Sequence, residues 1–425
     1  MRSKNSYFAA KSVFAVFITL LLALAIVPAQ AQATKFTVLH TFHGPPTDGE
    51  APLGVLIRDS AGNLYGTTSE GGTGKCSKYG CGTAFKMDET GSEVWLHSFA
   101  GSNGQYPFAG LFRGEAGNLY GTTNQGGAHC YGTGFPGCGT VFKLNETGEE
   151  TLLHSFAGSP DGWFPEALLV VDGMGNLYGT SSAGGASGGY GTVFQLGTTG
   201  SETILHNFAG PPEGGGDGAY SYEGVIRDAA GNLYGVTAAG GAYGAGVVYE
   251  VNASGAETLL YSFTGSSDGA IPDSVLLFDS QGNLYGTSAE GGNSECGGTG
   301  CGVVFELSPQ SGGSWTETVL YEFCSLSECT DGESPGTGPL VRDSAGNLYG
   351  TTYFGGTYRS GVVFKLDTTG KETVLHSFTG GADGSFPDAG LTMDNAGNLY
   401  GAAEEGGDTN CYAPHGCGVV FKLTP

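Results

Sequence analysis

The residues best suited to do chemistry are those that break an otherwise repetitive chain. His129, His415, Arg359, Glu166, Glu223 and the Glu404–Glu405 couple each occur once, whereas most of the sequence recurs every 51 to 64 residues. One substrate needs one acid and one base rather than many equivalents, so unique side chains are the candidates for catalysis. A pair of these carboxyls could cleave glycosidic bonds, with a separation that sequence does not give. Trp163, Tyr220, Tyr222 and Tyr353 share the same stretches. Aromatic rings converging with carboxylates suit capture of a sugar or a peptide, and several of these rings could equally plug packing gaps. No nucleophile elbow, phosphate loop, zinc signature or dinucleotide fingerprint accompanies them.

The elements that must position these residues follow from one pentapeptide. Gly-Asn-Leu-Tyr-Gly occurs seven times, beginning at Gly62, Gly117, Gly175, Gly231, Gly282, Gly346 and Gly397. Seven copies of one unit suit a closed ring better than an open stack. Within a unit, Ala389 to Asp394 alternates as a strand, Asn395 to Gly397 turns the chain, and a second strand starts at Asn398. Gly361 to Leu366 and Glu372 to Phe378 read as third and fourth strands. Each unit is therefore a four-stranded antiparallel meander. The chain opens with a lone fourth-type strand, Phe36 to Phe42, and closes with a unit holding only the first three types. Joining the two completes a seventh blade and removes the open edge. The expectation is an all-β, seven-bladed β-propeller spanning 34–425 as one domain, closed by its N-terminal strand.

In such a meander, the loops between strands two and three, and between one blade and the next, emerge on one face. They are long and variable, while the opposite face carries short turns of the Asp-Ser-Ala-Gly-Asn type. Every candidate named above lies on the long-loop face. So do all ten cysteines, as five local couples: Cys76 with Cys81, Cys130 with Cys138, Cys296 with Cys301, Cys324 with Cys329, and Cys411 with Cys417. An even count and close pairing favour disulfides over zinc. The long-loop face is also the more acidic, its only bases being Lys75, Lys78 and Arg359.

Two recurrent sets look chemical but are explained by symmetry. His40, His97, His154, His206 and His376 share one strand position that Tyr261 and Tyr321 fill elsewhere, which points to packing or hydrogen bonding. Asp48, Asp161, Asp217, Asp268, Asp331 and Asp383 each precede glycine, with Asn103 in the second unit. They read as turn caps; a ring of calcium ligands at Asp161, Asp217, Asp268, Asp331 and Asp383 is the alternative, and no other cofactor is expected.

Residues 1–31 form an address segment: Arg2, Lys4 and Lys11 precede an apolar run from Ser12 to Val27, and Ala29, Ala31 and Ala33 offer cleavage sites. The formal net charge is −25, with 41 acidic against 16 basic residues, and removing the leader makes it more negative. That balance argues against nucleic acid or anionic membranes as partners. The expected product is secreted or periplasmic, not inserted in a membrane, and monomeric.

The run L-H-S-F, D-G-x-x-P, D-x-x-G-N-L-Y-G-T-T, G-G and G-T-V-F-K-L resembles the GloVer tandem repeat of exported bacterial proteins, the choice-of-anchor repeat group, across 36 to 425. The resemblance implies a propeller-like exported protein with no assigned molecular role. The favoured reading is a non-enzymatic propeller that binds an extracellular glycan, peptide or protein through its long-loop face. The alternative is a polysaccharide-acting hydrolase or lyase.

Overall fold

The computed structural model describes residues 34–425 apart from 129, 131–136, 187–188 and 211–215, and Thr34–Pro425 forms one compact unit. The chain is a seven-bladed β-propeller. The third blade shows the plan: strands Val170–Val171, Leu177–Ser181, Thr192–Leu196 and Glu202–Asn207 pair in that order as an antiparallel meander. In the last blade Lys35–Thr41 pairs with Val419–Thr424, that strand with Leu399–Ala403, and Leu399–Ala403 with Leu391–Met393. The joining strand has the register of a true fourth strand, slipping between Val38 and His40 where the third blade slips between Val193 and Phe194.

The signature pentapeptide is explained position by position. Asp59 Oδ1 accepts the Asn63 amide at 2.9 Å, while Oδ2 accepts the Asn63 side chain at 2.8 Å and the Tyr65 hydroxyl at 3.0 Å. Gly62 closes this turn with φ +94°, a conformation that side chains disfavour. Leu64 enters the core. A Cβ on Gly66 would lie 2.6 Å from the Phe85 ring, so only glycine fits beneath that ring. The motif is thus a self-bonded turn followed by a flat seat for an aromatic.

That aromatic welds neighbouring blades. Phe85 meets Phe42 edge-on with centroids 5.3 Å apart, and the contact recurs as Phe99–Phe142, Phe156–Phe194, Phe208–Tyr249, Phe263–Phe305, Phe323–Phe364 and Phe378–Phe421. All fourteen rings are fully buried. Burying such rings is worth several kcal/mol per pair at about 25 cal/mol per Å², so the core lies between blades. Among the described residues no helix is long and apolar enough to cross a membrane.

Candidate functional site

Ala51, Tyr106, Phe164, Tyr220, Ile271, Ser334 and Phe386 all adopt a left-handed backbone, with φ between +52° and +62°. Such a conformation costs a non-glycine residue of order 1–3 kcal/mol and persists only when its surroundings enforce it. Here the clamp is double. The Phe164 amide donates to the Cys138 carbonyl of the preceding blade at 2.9 Å, and its carbonyl accepts from the amide of Ser182, just past its own second strand, at 3.1 Å. The Tyr106 amide and carbonyl are held likewise by Cys81 and Asn124. The bend directs the following residues toward the propeller axis.

Those residues build an axial cavity of about 260 Å³ to which all seven blades contribute. Two positions beyond the left-handed residue, six blades place Leu53, Phe108, Glu166, Tyr222, Asp273 and Asp388 in its wall. The sixth blade has one residue more and supplies Thr337, Gly338 and Pro339. Sevenfold symmetry is broken completely here: Leu53, Val55, Phe108 and Leu168 form an apolar arc, and Glu166, Glu223, Asp273 and Asp388 a carboxyl arc. Among the described residues no lysine, arginine or histidine lines the cavity.

Protein surrounds these four carboxyls, although each keeps some accessible surface where it faces the cavity. Burial raises the Glu223 carboxyl well above its ordinary range, and the charges of Asp273, Asp388 and Glu166 add to it. Burial and then the Asp388 charge raise Asp273 likewise. Asp388 is raised by burial against the opposing hydrogen bonds of Thr337, whose amide donates to Oδ1 at 3.0 Å. Burial pushes Glu166 up to about 7 even though the Asn124 side chain donates to it. Asp273 Oδ1 has no hydrogen-bond partner. A carboxyl whose pKa is raised by burial and by neighbouring charge holds its proton to higher pH, and in that form it is an O–H donor as well as an acceptor.

Of the residues expected from sequence, Glu166, Tyr222 and Glu223 meet in this cavity. Tyr220 lies beside it, its ring stacked at 6.3 Å on that of Tyr222, and both are about two-fifths exposed. Tyr353 donates to Glu404 at 2.9 Å and stacks on Phe386. His415 pairs with Glu405 at 3.1 Å on the rim. Trp163 packs against the core cluster containing Cys130 and Cys138, and Arg359 is an exposed rim residue with φ +60°. His129 lies outside the described residues. Asp273, Asp388, Thr337 and Leu53 were not singled out by the sequence. Leu53, Asp273 and Asp388 each directly follow the loop proline, and Thr337 follows it by two positions.

The recurrent histidines and aspartates form a different set, at the blade junctions. Asp217 accepts the Ala209 and Gly218 amides at 2.9 and 2.7 Å and lies 3.1 Å from His206 Nε2; Glu257 of the next blade stands 3.7 Å from the same nitrogen. Asp268 and Asp331 accept from Tyr261 and Tyr321 instead. Asp161 and Asp383 bond the Ala157 and Thr379 amides in the same manner. The three ligand-type atoms lie within 4.8 Å of one another at His40–Asp48–Glu93, His154–Asp161–Glu202 and His206–Asp217–Glu257. All ten cysteines are paired as expected from their spacing.

The sequence matches the Gloeobacter/Verrucomicrobia repeat over residues 25–136, 75–299 and 189–421. No curated protein matches it. Among solved structures, the extracellular domain of a protein designated a hybrid two-component system from B. thetaiotaomicron is 14% identical with a TM-score of 0.55, covering 92% of this chain and 42% of that one. A gluconolactonase from Xanthomonas campestris is 14% identical with a TM-score of 0.40, over 67% and 78% of the two chains. A luciferin-regenerating enzyme is 15% identical with a TM-score of 0.42, over 73% and 88%. At these identities the likeness concerns the fold alone.

Proposed function

We propose that this chain, which belongs to the Gloeobacter/Verrucomicrobia repeat family, is an exported propeller that binds a glycan in its axial cavity through the long-loop face. The observation that carries the reading is the division of one repeat position into an apolar arc at Leu53 and Phe108 and a carboxyl arc at Glu166, Asp273 and Asp388. A sugar ring presents C–H faces and hydroxyl edges, and such a wall meets both. Tyr222, exposed at the cavity, adds an amphipathic ring. Carboxyls that hold their protons can both donate to and accept from hydroxyls.

Export is supported by the leader-like segment before Ala33 and by five disulfides, which persist in oxidising compartments. N-terminal sequencing of the exported product should begin near Gln32; retention of Met1 would remove this part of the reading. For the ligand, a glycan and protein array followed by calorimetry should give saturable glycan binding that Tyr222→Ala weakens at least about tenfold, or about 1.4 kcal/mol. Binding indifferent to Tyr222 would displace the site.

The raised carboxyls of Glu166 and Glu223 favour one further reading, a polysaccharide hydrolase in which one of them donates a proton to a leaving oxygen. Release of reducing ends from a plant and microbial polysaccharide panel, abolished by Glu223→Gln, would establish it. A flat response across the panel rejects it.

A further inference from the structure

A second cavity, of about 320 Å³, opens on the long-loop face between the seventh and first blades. It shares Leu53 and Phe108 with the axial cavity, so the two spaces meet at a common wall. Its own lining is chemically of the same kind: Glu50, Glu70 and Glu404 beside the rings of Tyr79 and Tyr412. Tyr79 comes from the first blade and Tyr412 from the seventh, and they meet edge to face with centroids 5.1 Å apart. His415 stacks behind Tyr412 at 5.2 Å, and Lys78 Nζ sits 4.3 Å over the Tyr79 ring. Both rings stand on loops closed by disulfides, Cys76–Cys81 and Cys411–Cys417. Side chains carried on stapled loops are preorganised, which reduces the entropy lost on binding. Glu404 links the spaces electrostatically: burial raises it to about 7, and the charges of Asp388 on the axial side and Glu70 on the outer side add to that. The junction between the third and fourth blades lacks this combination. At the loop position of Glu70 and Glu405, the third and fourth blades have Ala183 and Ala239, and their loops carry no disulfide.

We infer that the ligand is an extended oligosaccharide, one sugar unit held on the axis and the chain running outward between the seventh and first blades onto the Tyr79–Tyr412 platform. This rests on the glycan reading above and adds to it a length and a direction.

The test is calorimetry of the full mature chain against β-1,4-linked glucose, xylose and mannose oligosaccharides of two, four and six units. In at least one series the dissociation constant should fall about tenfold or more from two to six units. In a Tyr79→Ala/Tyr412→Ala variant that gain should vanish while two-unit binding stays unchanged. Tyr412→Ala alone, at an exposed ring, should remove part of the gain and serves if the double variant is unstable. Equal affinity at every length overturns the second subsite and leaves the axial site standing. Loss of two-unit binding in the platform variants places the ligand elsewhere than inferred. No binding by any series overturns both.

Discussion

The ring of Phe36 lies flat on the imidazole of His376, centroids 3.8 Å apart and planes within 9° of parallel. Phe36 belongs to the first strand of the described chain and His376 to the sixth blade, so this stack marks the place where the ends of the propeller are sewn together. At six other junctions the position of Phe36 is held by a glutamate: Glu93, Glu150, Glu202, Glu257, Glu317 or Glu372. The seam therefore replaces a polar bridge with an apolar one.

The same ring contacts Phe378 at 5.6 Å and Phe421 at 5.2 Å, so truncating it opens a gap in the closing interface. Phe36→Ala should cost about 2–4 kcal/mol, given that the ring is half-buried. Urea denaturation checks this, with Val94→Ala on the exposed outer strand as a control expected within about 0.5 kcal/mol. Equal effects at both sites would mean that the N-terminal strand does not close the ring.

Loss of a carboxylate at the seam has a titration signature. Burial lowers the His376 pKa below 6.5, and Asp383 only partly opposes it. At His40, burial is outweighed by Asp48 and Glu93, and the pKa is raised. A histidine whose pKa is raised on folding contributes stability that is complete below 6.5 and is lost as pH climbs through the higher folded value; His376 acts in the opposite sense. NMR titration should find His376 below and His40 above the ordinary value, and Phe36→Glu should move His376 upward. An unmoved His376 would refute the assignment of the seam.

Glu202 and Glu257 are pushed up to about 9 by burial and then by the hydrogen bond and charge of Asp161 and Asp217. An acid whose pKa is raised on folding destabilises progressively as pH rises from its unfolded value, 4.5, to the folded one. Glutamine mimics the protonated form. Glu202→Gln should therefore match the parent near pH 4.5 and melt higher at pH 8. The same change in melting temperature at both pH values would show that Glu202 is ionised in the fold.

At the Asp343 turn, burial is outweighed by donation from Asn347 and Tyr349, and the carboxyl is held below 3.8. Such a group stabilises above its unfolded pKa, and that contribution disappears as pH falls through the folded one. Asp343→Ala should cost about 1.5–3 kcal/mol at pH 6, with less loss below pH 3, read from denaturation midpoints at the two pH values. A loss that does not depend on pH would argue that the turn is held by Gly346 alone.

Blade count, ring closure and disulfide pairing were all legible because each is carried by a repeating local pattern: a Gly-Asn-Leu-Tyr-Gly turn, a stranded Phe36–Phe42 segment, cysteines five to eight apart. Glu166, Tyr222 and Glu223 stood out as departures from that pattern. Asp273 and Asp388 did not, because each sits inside a loop rich in other acids and glycines, and their position counts only once the left-handed bend at Ile271 or Phe386 is seen to aim them at the axis. Trp163 belongs to the set of rings on the long-loop face, and sequence does not give its burial: it packs, partly buried, against the core between the second and third blades.

The central claim is that the ligand sits on the axis. A crystal structure of the mature protein with the tightest oligosaccharide from the array tests it most directly. The account predicts density in the axial cavity with sugar hydroxyls within hydrogen-bond distance of Asp273 and Glu223. A sugar bound on the short-turn face or along the outer strands, with that cavity empty, would contradict it.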